Sequence, residues 1–148
     1  MYSKKVPIKL TNSNAKIPTR GSLDAAGYDL YAAIDSRIVI KPHTTEKIDT
    51  GIAVELPEGT FGGIFARSGI AAKRGLRPAN CTGIIDSDYR GNVIVALHND
   101  TDVAQYVEPQ ERIAQLIVIP YANVKFEEKE ELSDTKRGSG GFGSSGTT

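Results

Sequence analysis

Short apolar runs, each stopped by Gly, Pro, Asn or Asp, recur from one end of the chain to the other. Residues 6–10 alternate loosely. Ile38, Val39 and Ile40 stand between Asp35-Ser36 and Lys41-Pro42. Ile52, Val54 and Leu56 alternate with Ala53 and Glu55 and stop at Pro57-Glu58-Gly59, after which residues 60–65 form a second run. Residues 93–97 and 113–118 are apolar at successive positions, the pattern of strands covered on both faces. Runs of this length, spaced by turn residues, predict an all-β protein, a sandwich or barrel. Only residues 68–74, with Ala71, Ala72 and Lys73, read as a helical turn or two. The acidic residues 127–131 read as a solvated edge strand or as the lead into a tail.

Composition narrows the partners. The chain has 148 residues, with 18 basic and 18 acidic side chains, so it is expected to form one core and carries no basic excess for coating nucleic acid. Its one cysteine, Cys81, permits no internal disulfide and is expected to be a small buried residue near a turn. No signal-peptide pattern opens the sequence, and the longest apolar stretch, around residues 113–122, is too short to span a bilayer. A cytoplasmic protein without membrane or nucleic-acid partners is the expectation. Residues 1–134 are read as the β domain and 135–148 as a flexible arm.

Four segments within the domain carry candidate chemistry. In Gly83-Ile84-Ile85-Asp86-Ser87-Asp88-Tyr89-Arg90-Gly91-Asn92 a strand rises into a polar turn; Asp86 or Asp88 is a general base or a turn-stabilising group. In Arg67-Ser68-Gly69-Ile70-Ala71 a strand meets a helix start, which is an anion site or a plain serine cap. Asp29, in Ala26-Gly27-Tyr28-Asp29-Leu30, is either a carboxylate for a hydrated metal or part of a surface turn. Gln115, in Arg112-Ile113-Ala114-Gln115-Leu116, enters an apolar strand and must find a hydrogen-bond partner, from backbone or from phosphate. Neither His43 nor His98 has zinc-site or nucleophile spacing.

The C-terminal stretch from Arg137 to Gly146 adds one guanidinium and one ring, Phe142, to five glycines and three serines. Its composition is that of a mobile tail. Yet glycine backbone and arginine suit phosphate, and an aromatic face suits a nucleobase.

In their order, these five segments resemble the five motifs of the homotrimeric dUTP diphosphatase (dUTPase) family, over nearly the whole chain. Ala66 stands where many members have Pro, Ile70 where Leu is common, and Ser145 where Thr is common. The resemblance implies a jelly-roll subunit in a threefold trimer whose sites draw on all three chains. It implies hydrolysis of dUTP to dUMP and pyrophosphate, assisted by Mg²⁺. It makes Asp86 the base that activates water, and Arg67, Ser68, Gly69 and Gln115 the triphosphate ligands. Asn80, Gly83, Ile84, Ile85 and Ile94 read uracil, and Tyr89 lies against the sugar. Arg137, Phe142 and Gly143 belong to an arm that closes over the nucleotide, and Asp29 reaches the metal through a water. Two rival readings fit the residues less well. A dCTP deaminase of the same fold needs a Glu beside the base, and none falls near residues 67–71 or 80–91. A non-enzymatic nucleotide-binding regulator has no use for an intact Asp86 and tail.

Overall fold

Alternation of buried and exposed positions along short strands builds two main antiparallel sheets around one core. The computed structural model describes residues 5–142. The first sheet joins β2 (Tyr28–Tyr31), β11 (Arg112–Pro120), β6 (Thr60–Phe65) and β8 (Gly83–Ile85), in that order. The second joins β4 (Thr45–Asp49), β9 (Ile94–Asn99) and β7 (Leu76–Pro78). Two short pairs complete the sandwich: β1 (Ile8–Leu10) with β5 (Ile52–Val54), and β3 (Ile38–Ile40) with β10 (Gln105–Val107). Leu30, Ile64, Ala114 and Leu116 of the first sheet share one cluster with Ile48, Leu76, Val95 and Leu97 of the second. This is the all-β jelly-roll expected, with a single helix, α1 (Ser68–Arg74), among the described residues. None of the described helices is long and apolar enough to cross a membrane.

Three expectations change. β9 is buried on one face only: Val95, Leu97 and Asn99 point inward while Ile94 is exposed. Its apolar outer residues serve a surface feature rather than a second core layer. β11 likewise is not covered on both faces. A register shift between Arg112 and Ala114 brings Ile113 and Ala114 both into the core, whereas Val118 is exposed. Cys81 is exposed, not buried. It sits in a tight turn at φ 62°, where its N–H donates to the Pro78 carbonyl and the chain reverses outward. Residues 127–131 are exposed and form no strand, so of the two alternatives the lead into the tail holds.

Candidate active site

The hairpin that carries Asp86 grows out of sheet pairing. β8 is the edge strand against β6, with Gly83 opposite Ile64 and Ile85 opposite Gly62. Beyond Ile85 the chain turns, and the Tyr89 N–H donates to the Asp86 carbonyl at 3.1 Å. A cavity of about 170 Å³ lies under the hairpin, walled by Asn80, Gly83, Ile84, Ile85 and Ile94 with Ile64, Pro78, Val95 and Ala96. A second, of about 180 Å³, is walled by Ile84, Ile85, Asp86, Tyr89, Asn92 and Ile94. Seven residues singled out in the sequence therefore meet at two adjoining hollows. Ile84 and Ile94 are exposed apolar side chains, an arrangement that an apolar ligand face would cover. Strand alternation explains Ile94: with Val95 in the core, Ile94 must face outward.

The second cluster forms where β2, β11 and β6 lie side by side. Gln115 is opposite both Asp29 and Phe65. The Asp29 carboxylate accepts from Arg67 Nε at 2.8 Å and from Arg112 Nη1 at 3.2 Å. Arg67 also donates through Nη1 to the Arg112 carbonyl at 3.3 Å. Asp29 is thus part of a strand and a charge network, not of a surface turn. Gln115 finds the partner its position demands, since Nε2 donates to the Ala66 carbonyl at 2.8 Å. Gly27 makes that conformation possible: a Cβ there would lie 2.2 Å from Gln115 Oε1. Ser68 is not the helix cap. Arg67 occupies that position, and no side chain caps the helix start. Arg112 was legible only as part of its motif. Its pairing with Asp29 needs the bulge that no sequence pattern announces.

The two clusters do not meet within one chain. Register puts Asp86 level with Phe61, at the far end of β6 from Arg67. β6 stops at Phe65, and Arg67 lies just beyond that end. The described part of the arm reaches neither cluster. Arg137 Nε donates to the Gly140 carbonyl at 2.9 Å, and the Phe142 ring is fully exposed. Gly143, with the rest of the arm, lies outside the described residues.

The donor set limits how a metal could be held. Among the described residues, no three His, Cys, Asp or Glu side chains converge. Each Asp29 oxygen already accepts from a guanidinium, but a carboxylate oxygen has a second lone pair and can still accept from a metal-bound water. The site fits an ion carried by a ligand's oxygens and touched by protein through water. It does not fit an ion held by protein alone.

A carboxylate-bearing hairpin over two hollows and a separate arginine cluster thus stand on one β-sandwich. The dUTPase family model matches residues 13–146. The chain is 44% identical over 142 residues to the deoxyuridine 5'-triphosphate nucleotidohydrolase of Nautilia profundicola, covering 96% of this chain and 99% of that one. It is 46% identical to the enzyme of the same name from Escherichia phage T5, with 96% and 99% coverage. The structure of the Staphylococcus bacteriophage 80alpha dUTPase with dUPNHPP superposes with a TM-score of 0.91 at 32% identity, covering 98% of this chain and 100% of that one. The chain belongs to the dUTPase family. Members of that family are generally metal-dependent.

Proposed function

We propose that the chain hydrolyses dUTP to dUMP and pyrophosphate, with a site completed by two neighbouring copies in a homotrimer. One observation carries the reading: Asp86 and Tyr89 share a wall with the hollow lined by Asn80, Gly83, Ile84, Ile85 and Ile94. Uracil occupies that hollow, its edge read by Asn80 and strand backbone, and its walls too close for the methyl of thymine. Tyr89 lies against the deoxyribose and fills the space of a 2′-hydroxyl.

Asp86 accepts a proton from a water as its oxygen bonds to the α-phosphorus. The bond from that phosphorus to the bridging oxygen breaks, and pyrophosphate leaves. Arg67, Ser68, Gly69 and Gln115 of a second copy offset the charge that moves onto the leaving group. Arg137 of a third copy reaches the γ-phosphate, while its Phe142 and Gly143 cover the base. The placement of Asp86 and Arg67 toward opposite ends of β6 supports this division. Mg²⁺, which prefers oxygen and dehydrates reluctantly, is the ion that suits a water-mediated Asp29. Bound to the triphosphate, it neutralises charge and fixes the phosphate chain.

Pyrophosphate release across dUTP, dTTP, dCTP and UTP tests the substrate, with dUTP expected far ahead. Equal rates on dTTP would refute the uracil pocket. Co-refolding chains truncated before Arg137 with full-length Asp86→Asn chains tests site sharing. Activity should return in mixed trimers, because a truncated chain then supplies the base and an Asp86→Asn chain the arm.

A further inference from the structure

Beside the hairpin lies a carboxylate that the mechanism does not use. Asp49 ends β4, and its side chain is turned toward the limb by which the hairpin returns to β9. Asn92 Nδ2 donates to Asp49 Oδ2 at 3.0 Å and to Oδ1 at 3.2 Å. Oδ1 also accepts the Gly51 N–H at 2.7 Å. On its other side Asn92 offers its backbone carbonyl to the Tyr89 hydroxyl, at 3.0 Å. Nothing separates ring and limb: a Cβ on Gly91 would lie 2.4 Å from the Tyr89 hydroxyl oxygen. The sequence is therefore Asp49 to Asn92 to Tyr89, three residues in series. The last of them walls the cavity that also holds Asp86.

We infer that Asp49 is a positioning residue for sugar selectivity, acting through Asn92 on Tyr89. The inference rests on the dUTPase reading above, in which Tyr89 occupies the 2′-hydroxyl space. Besides accepting the Gly51 N–H, this carboxylate does little for the fold. The strand end beside it is already fixed by buried bonds: Thr50 Oγ1 and N–H both donate to the Val93 carbonyl, at 2.6 and 3.2 Å, and Val93 N–H donates to the Ile52 carbonyl at 2.8 Å. What Asp49 adds lies one residue further out, at Asn92, where the chain has left the strand. An ionised acceptor binds an amide more firmly than a neutral one, and two-point contact fixes its orientation. Without it, the Asn92 side chain, which walls the second hollow beside Tyr89, can rotate, the limb outside the Val93 amide loosens, and the Tyr89 ring gains the freedom to admit ribose.

The decisive quantity is the ratio of kcat/KM for dUTP over UTP. In the parent enzyme a large ratio is expected; a ratio near one would refute the Tyr89 reading itself, separately from the role of Asp49. Given that large ratio, Asp49→Ala should lower it by about tenfold, the scale of losing charge-assisted hydrogen bonds. Its kcat on dUTP should move far less, since Asp86 and the first hollow keep their places. Asn92→Asp should lower the ratio too, by setting two carboxylates against each other. Combining Asn92→Asp with Asp49→Asn rebuilds an amide–carboxylate pair with its polarity exchanged and should bring the ratio back. A purely structural role would alter the melting temperature and leave the ratio alone. An unchanged ratio in folded Asp49→Ala overturns the inference. If that variant fails to fold, failure of the exchanged pair to recover selectivity over Asn92→Asp overturns it equally.

Discussion

The hairpin and the arm are made from the same kit and behave in opposite ways. Each combines an arginine, an aromatic ring and glycines: Tyr89-Arg90-Gly91 in one, Arg137 with Gly138, Gly140, Gly141 and Phe142 in the other. Tyr89 is pinned through its hydroxyl and half-covered, whereas Phe142 is fully exposed and Arg137 bonds only to its own turn. The difference lies behind the residues rather than in them. The hairpin springs from β8, backed by β6, and returns into β9, whose inner face is core. The arm follows an exposed stretch, residues 121–134, with no strand to lean on. A glycine-rich aromatic motif is rigid where a sheet holds both its ends and needs a ligand or a neighbour where none does.

The largest effect belongs to the rigid region. Asp86→Asn keeps the shape and removes the base, and a positioned base is worth ~10²–10⁴-fold in rate. Single-turnover hydrolysis of dUTP should fall by that much, with nucleotide affinity retained. Parent-level turnover by this variant would show that the pinned hairpin holds the wrong group.

Deleting residues 137–148 makes the opposite cut. The described part of this stretch buries no apolar side chain, so the melting temperature should change little. Turnover should nonetheless collapse, because water enters the site and the γ-phosphate loses its cation. A deletion that melts much earlier than the parent would mean that the arm is a structural strap. Tyr89→Ala and Phe142→Ala then separate the two rings. The first should lower the dUTP over UTP ratio. The second should raise KM for every nucleotide alike, by the ~1–3 kcal/mol that one base–aromatic stack contributes.

How far the sequence could be read follows the same division. Strands with turn residues at both ends, such as Ile38–Ile40 and Thr60–Phe65, were legible, and so was the helix Ser68–Arg74. β4, with Glu46 and Lys47 exposed, and β10 have too few apolar positions to announce themselves and exist because β9 and β3 pair with them. The hollow residues around Asp86 were legible because one short segment supplies most of them. The pairing of Arg67 and Arg112 on one carboxylate was not, since it joins residues 38 and 83 positions apart from Asp29. Asp49 escaped for a like reason: it is an ordinary Asp before Thr-Gly until the fold sets Asn92 against it.

The smallest expected effect tests the other limb of the hairpin. Arg77 donates to both Asp100 oxygens, at 2.6 and 3.0 Å, and its Nη1 donates to the Pro78 carbonyl at 3.1 Å, just before Asn80. The Arg77 hydrogen bond holds the Asp100 carboxyl below its ordinary range, with the Arg77 and His98 charges adding to it. The sign follows from linkage. A carboxyl depressed in the folded state contributes stability above its unfolded value and loses that contribution as the pH falls through its folded value. Asp100→Asn should therefore melt slightly below the parent at neutral pH. The gap should close only once the pH drops beneath the usual carboxylate range. The pair is solvent-exposed, so the gap should be small and should shrink in high salt. Truncating the arm should leave this dependence unchanged, since no arm residue touches the pair among the described residues. A gap that persists undiminished in strong acid would show that Asp100 acts by packing rather than by charge, and that the entry limb of the hairpin is held by its backbone alone.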